Sequence, residues 1–302
     1  MQPVPRLVPL GLVIAFFIAL CFAAGAGRLA AAAAAETLVY KKAGDAELKL
    51  FVEKPPGWKA GDRRPAIVFF FGGGWVGGSP NQFLKQSQHF AMRGLVGIRV
   101  QYRVIPKGDA GPPFVCVADA KSALRYVRAH AAELGIDPAR IAAAGGSAGG
   151  HLAASTATLP GLEPSQDDKS VSCIPDALVL FNPALVLAPL PGLELANVGD
   201  RVPAERMGTD PKNISPAHHV KKGTPPTIIF HGKADTTVPY ATAAAFTTVM
   251  KAAGNRCELV GAEGEKHGYF NYGRGDNAAY RATLAATDAF FVSLGWLKPA
   301  AK

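Results

Sequence analysis

The sequence predicts a single α/β domain built on a mostly parallel sheet with helices on both sides. Short apolar runs rich in β-formers, at 66–71, 177–181 and 227–230, read as strands covered on both faces. Segments of helical apolar spacing lie between such runs, so strands and helices alternate as in parallel βαβ units. At 302 residues and 49% hydrophobic content, the chain is long and apolar enough to bury one such sheet.

The elements follow in order. Residues 37–53 alternate as two strands around Gly44-Asp45, and Pro55-Pro56-Gly57 closes that unit. The strand at 66–71 is followed by a helix at 81–93 and a strand at 95–102. Helical spacing over 115–134 ends at Gly135, with Asp137-Pro138 as a stop signal. A strand at 140–144 runs into Gly-Gly-Ser-Ala-Gly-Gly at 145–150 and then a helix through 157. Strands at 177–181 and 227–230 and a weaker one at 258–260 complete the sheet, with helices at 240–253 and 277–294. The irregular stretch at 183–222, rich in Pro, Gly and Asn, reads as an insert forming a small lid or a substrate-facing loop.

The N-terminus reads as an export signal. Arg6 supplies positive charge, residues 7–27 carry none, and Ala33-Ala34-Ala35 offers a cleavage site before Glu36. The domain therefore spans 36–302, in a periplasmic or secreted protein. The alternative is a membrane anchor, because the uncharged run at 7–27 is long enough to span a bilayer. Leu20 stands where a lipoprotein signal around Cys21 would need a small residue. Removing 1–35 takes away Arg6 and Arg28, so the net charge falls from +9 to +7. Those charges are scattered, with no run longer than two and no basic–aromatic repeat, which argues against a nucleic-acid partner. Cys116, Cys173 and Cys257 remain; their spacing matches no zinc pattern, and they read as buried thiols.

The turn at 145–150 carries the chemistry. Strand, Gly-x-Ser-x-Gly (Gly145, Ser147, Gly149) and helix together make a sharp turn that lifts one hydroxyl above a helix N-terminus. A serine nucleophile further needs a base, a carboxylate to orient the base, and donors for the oxyanion. Gly72-Gly73-Gly74, after the strand at 66–71, allows backbone N–H groups to approach a small anion. Gly72, Gly74 and Gly77 also fit a dinucleotide fingerprint, but the following strand ends Arg99-Val100-Gln101-Tyr102 with no acidic residue for a ribose. Asp235, in His231-Gly-Lys-Ala-Asp-Thr-Thr-Val-Pro239, follows a strand at the end of the sheet where α/β folds keep their ligands. The strand at 177–181 ends instead in Asn182-Pro183, which supplies no anion. Of seven histidines, only His267 lies in a loop after that carboxylate and before the last helix. The order Ser147, Asp235, His267 is that of the α/β-hydrolases.

On these residues the chain resembles the α/β-hydrolase superfamily, in the branch of esterases related to hormone-sensitive lipase and the carbohydrate (acetyl or feruloyl) esterases. The resemblance covers 37–296 and rests on Gly-Gly-Gly-Trp at 72–75, the motif at 145–151, the motif at 231–239 and His-Gly-Tyr-Phe at 267–270. It implies Ser147 as nucleophile, His267 as base and Asp235 as its partner, with backbone N–H groups of Gly73, Gly74 and Ala148 forming the oxyanion hole. Trp75, beside the glycines, is expected to touch substrate. Phe71 stands where the family usually has a histidine that supports the glycine loop, so the anchoring of that loop is the part affected. The helical N-terminal cap of the family has no counterpart before the strands that begin near Glu36, and a minimal cap suits short acyl groups on bulky alcohols.

The expectation is a serine esterase needing no metal or other cofactor, acting on a small-molecule or polysaccharide ester. Rival readings are a serine exopeptidase of prolyl-oligopeptidase type, for whose propeller the chain leaves no room, and a non-catalytic binding protein on the same fold.

Overall fold

The structure is a computed structural model that describes residues 1–3, 35–106, 113–191 and 207–299. The chain divides into two units, Met1–Ala31 and Ala32–Lys302, and the second carries the elements below. The expected export segment lies, apart from residues 1–3 and Ala35, outside the described residues.

Eight strands form one sheet: β1 (Glu36–Ala43), β2 (Ala46–Glu53), β3 (Arg64–Phe70), β4 (Val96–Val100), β5 (Ile136–Gly146), β6 (Ala177–Phe181), β7 (Thr227–Gly232) and β8 (Cys257–Ala262). Their order is β1-β2-β4-β3-β5-β6-β7-β8. β1 and β2 form the antiparallel hairpin expected around Gly44-Asp45, and β2 pairs antiparallel with β4. From β4 to β8 every pairing is parallel. Five α-helices among the described residues connect them: α1 (Leu84–Met92), α2 (Phe114–Ala129), α3 (Ala148–Thr158), α4 (Tyr240–Ala252) and α5 (Ala278–Ser293).

The central strands are apolar on both faces because both faces are covered. Val68 and Phe70 of β3 and Leu178 and Leu180 of β6 join α2, α3 and α4 through Val117, Leu152 and Phe246. The alternate residues Ile67, Phe69, Val179 and Phe181 join α1 and α5 through Phe90, Leu284 and Phe291. Fully burying each of these large side chains stabilises the fold by roughly 1.5–3 kcal/mol.

Two elements differ from the sequence reading. α2 stops at Ala129 rather than running to 134, because His130 leaves helical dihedrals (φ −99°, ψ 21°) and the chain turns off at Gly135 (φ 65°), closed by Gly135 N–H to Ala132 O (3.2 Å) and Ile136 N–H to Ala131 O (2.7 Å). β5 accordingly begins at Ile136, before the wholly apolar residues, with an irregularity in its register against β3 between Arg64 and Ala66. The described parts of the stretch at 183–222 are packed into the core: Leu185, Val186, Leu187, Ile214 and Ala217 are all buried. Residues 192–206 of that stretch lie outside the described residues.

At the hairpin side of the sheet, a buried ion pair ties β2 to β4 and α1. Arg99 donates through Nε (3.0 Å) and Nη2 (2.7 Å) to Glu53 Oε1, and Ser87 Oγ donates to Glu53 Oε2. Arg99 Nη1 also reaches Asn81 Oδ1 (2.8 Å), on the 3-10 turn Pro80–Phe83 that follows the glycine loop. Removing one member of a buried pair strands the other charge. Glu53→Ala is expected to lower unfolding stability by about 3–5 kcal/mol in urea titrations, and a loss below about 1 kcal/mol would show the pair to be dispensable.

Candidate active site

Ser147 sits between the last residue of β5 and the first of α3, at φ 54° and ψ −120°. A serine in that region stores strain of order 1–3 kcal/mol, so the surroundings must hold it there. Its N–H donates to Phe181 O of β6 (2.9 Å), and its carbonyl accepts from His151 N–H (3.0 Å) and Ala184 N–H (3.3 Å). The flanking glycines are required by close approach. A Cβ on Gly145 would lie 2.3 Å from Gly149 O, and one on Gly149 would lie 2.1 Å from Phe70 O. The Gly-x-Ser-x-Gly spacing is thus the sequence trace of a helix driven hard against a sheet.

Asp235 and His267 come from the loops after β7 and β8, which are parallel neighbours. The two loops touch through backbone: Ala234 N–H donates to Glu265 O (2.9 Å), and a Cβ on Gly232 would sit 2.3 Å from that same oxygen. Phe270, wedged against Phe83 and Phe181 with ring centroids at 5.9 and 4.9 Å, pins the His267 loop from below. The three expected residues are brought together. Ser147 Oγ–H donates to His267 Nε2 (3.0 Å), and His267 Nδ1–H donates to Asp235 Oδ2 (2.7 Å).

The Asp235 side chain is fully buried. Burial alone would raise its pKa, but hydrogen bonds from His231, His267 and the Val238 N–H outweigh it and hold the carboxyl well below the usual range. Oδ1 accepts from Thr237 N–H (2.8 Å) and Val238 N–H (2.9 Å), and Oδ2 from Asn182 Nδ2 (2.7 Å) as well as His267. His231 Nε2–H points at Val238 O (2.8 Å) and lies 3.4 Å from Asp235 Oδ2. An ionised carboxylate only accepts, which fixes the proton of His267 on Nδ1 and leaves Nε2 to accept from serine.

The glycine loop runs beside the serine: a Cβ on Gly72 would lie 3.3 Å from Ser147 Cβ. Gly73 (φ 128°), Gly74 (φ 62°) and Trp75 (φ 66°) turn through the left-handed region. Ala148 heads α3, and the first N–H groups of a helix have no acceptor within it. Phe71 takes no histidine-like role. Its ring stacks on Tyr102 with centroids 4.1 Å apart, and its carbonyl accepts from Tyr102 Oη (2.6 Å). Trp75, the residue expected to touch substrate, is 5% exposed, and its Nε1–H donates to His151 Nδ1 (3.2 Å). His151 donates onward through Nε2–H to Ile214 O (2.7 Å). Burial drives His151 down to about 4 despite that hydrogen bond, so it is a neutral link from the loop to the 183–222 stretch.

Asn182 and His231 are the residues sequence reading missed as carboxylate partners. Asn182 closes β6 at φ 41° beside Asp235, a position read only for its lack of charge. His231 lies near the end of β7, fully buried.

Residues 54–176 match the BD-FAE family and residues 201–294 the prolyl oligopeptidase family. Carboxylesterase NlhH of Mycobacterium tuberculosis is 30% identical over 244 residues, covering 74% of this chain and 72% of that protein. Probable carboxylic ester hydrolase LipM of Mycobacterium tuberculosis is 31% identical over 198 residues, covering 62% of this chain; the chain spans only 45% of LipM's length. Among solved structures, native esterase 2 of the planctomycete Thermogutta terrifontis is 52% identical with a TM-score of 0.83, covering 89% of this chain and 96% of its own. That esterase has also been solved with propionate or butyrate bound and phosphorylated by paraoxon.

The depressed pKa of Asp235 sets a pH dependence. A carboxyl held lower in the fold than in the unfolded chain stabilises above its ordinary pKa, and that stabilisation is lost as pH falls through the range below it. The stability gap between the protein and Asp235→Asn, measured by urea unfolding, is therefore expected to be widest near pH 7 and to narrow below about pH 4. A gap that does not change with pH would mean that the ionised form gains nothing from these donors.

Proposed function

The chain belongs to the esterases of the α/β-hydrolase superfamily, and from that premise we propose that it hydrolyses short-chain carboxylic esters through a Ser147–His267–Asp235 triad. The observation that carries this reading is the continuous line of hydrogen bonds from Ser147 Oγ through His267 to a buried carboxylate. His267 Nε2 takes the serine proton as Oγ attacks the ester carbonyl, and Asp235 stabilises the imidazolium that results. Backbone N–H groups of Gly73, Gly74 and Ala148 receive the oxyanion. The imidazolium then protonates the departing alcohol. Water, deprotonated by the same Nε2, releases the acid from Ser147.

A short acyl group is favoured by the propionate and butyrate held in the Thermogutta terrifontis relative. Acetyl or feruloyl groups on polysaccharide are the natural class we assign, on the basic charge and the leader-like N-terminus of this chain. The prolyl oligopeptidase match over 201–294, the stretch holding Asp235 and His267, supports a second reading as a peptidase.

Ser147→Ala is expected to lower kcat on p-nitrophenyl butyrate by roughly 10⁴-fold or more and to abolish labelling by a fluorophosphonate probe. Ordinary turnover by that variant would refute the triad. On acyl chains, the acetyl to butyryl esters are expected to outrun octanoyl esters, with acetylated xylan and feruloylated sugars as the natural candidates. Cleavage of peptide p-nitroanilides without any ester hydrolysis would favour the peptidase reading instead.

A further inference from the structure

The glycine loop and the His267 loop are joined directly by two amide side chains that take no part in the triad. Gln82 Oε1 accepts from Gly72 N–H (2.7 Å), and Gln82 Nε2 donates to Asn271 Oδ1 (3.1 Å). Asn271 Nδ2 in turn donates to Gly268 O (2.8 Å), on the residue next to His267. The link spans residues 189 apart in sequence.

Its polarity is fixed from the ends. Gly72 offers an N–H, so Gln82 must turn its oxygen there and its nitrogen outward; Asn271 must then present oxygen to Gln82 and nitrogen to the Gly268 carbonyl. Only one orientation of the two amides satisfies all the contacts. The mounts on either side are rigid. Gln82 lies between Asn81, held by the buried Arg99, and Phe83, which is buried. Asn271 follows the buried Phe270, and its own N–H also reaches Gly268 O (3.1 Å). Gly268 lies at φ 78°, and a Cβ there would come 2.9 Å from Asn271 Nδ2, so the amide packs flat on the backbone beside the base.

On the triad reading above, acyl transfer needs the base and the oxyanion donors at a fixed separation in the same instant. The two loops bearing them approach the serine from different strands. Displacements of about 1 Å in such an arrangement cost up to 10²-fold in rate. We propose that Gln82 and Asn271 are positioning residues that hold the His267 loop in register with the glycine loop. The Gly72 N–H, committed to Gln82, is thereby withdrawn from the oxyanion hole, which falls to the amides beyond it.

The test is a double-mutant cycle on p-nitrophenyl butyrate with Gln82→Ala, Asn271→Ala and the pair. Each single change is expected to lower kcat roughly 10- to 100-fold, the range a small misplacement produces, with KM little altered. The pair is expected to do no more than either alone, because cutting a chain at one link already frees both ends. Gln82→Glu keeps the size and the acceptor for Gly72 but loses the donor, so it is expected to be as impaired as Gln82→Ala. Additive losses, an active Gln82→Glu, unchanged kcat, or losses that track a falling melting temperature would each overturn the proposal. Ser147→Ala, run alongside, separates the two ideas: an active Ser147→Ala removes the triad itself, whereas an inactive one beside fully active bridge variants removes only the bridge.

Discussion

Where α3 meets the sheet, Gly149 lies against two carbonyls at once; a Cβ there would fall 2.1 Å from Phe70 O and 2.4 Å from Phe71 O. That contact is the constraint from which the rest of the site follows. It brings the start of α3 onto the end of β3, so the chain between β5 and α3 has no room to turn except through the left-handed conformation of Ser147. It also sets the origin of the glycine loop, because Phe71 is the residue from which that loop departs. Gly150 continues the same packing, with Pro183 Cβ 2.7 Å from where its own Cβ would be. One backbone contact therefore lifts the hydroxyl, aims a helix N-terminus at the space above it and lays the loop alongside.

The electrostatics divide between two buried groups with opposite roles. Asp235 is surrounded by donors and stays charged, so its field organises His267. His151, equally buried, has burial as its dominant influence and stays neutral, which lets it accept from Trp75 and donate to Ile214 in a single orientation. In the proposed triad, the first prepares a proton transfer. The second, together with Tyr102, ties the glycine loop to its surroundings.

The sheet was legible because its strands are short, apolar on both faces and punctuated by Gly, Pro and Asp; the 177–181 strand was read at the bounds it has. The residues at 145–150, 235 and 267 were legible as a candidate triad because the proposed acyl transfer demands particular residue types at strand ends in a particular order. Asn182, Gln82 and Asn271 were not, because a neutral amide carries no charge signature and its partners are set by three-dimensional approach. Trp75 shows the same limit: its place beside the glycines suggested substrate, whereas its indole N–H found a buried acceptor on α3. Of the stretch at 183–222, read by composition as a small lid or a substrate-facing loop, Leu185, Leu187 and Ile214 are core residues and Ser215 Oγ accepts from Leu187 N–H, while residues 192–206 lie outside the described residues. The end of α2 was set by hydrogen bonds at 130–136 that helical spacing does not reveal.

Cys116, Cys173 and Cys257 are free and buried, and burial pushes the thiols of Cys116 and Cys257 up to about 12 and about 11. Thiolate, the form that reacts, is thus scarce at Cys116 and Cys257, and burial shields all three of these sulfurs from alkylating reagents. The three sulfurs lie on the buried face of α2, beside α3 and at the start of β8, so they sample separate parts of the fold. Their alkylation is a built-in clock for local opening: whichever cysteine is modified first marks the region that loosens first.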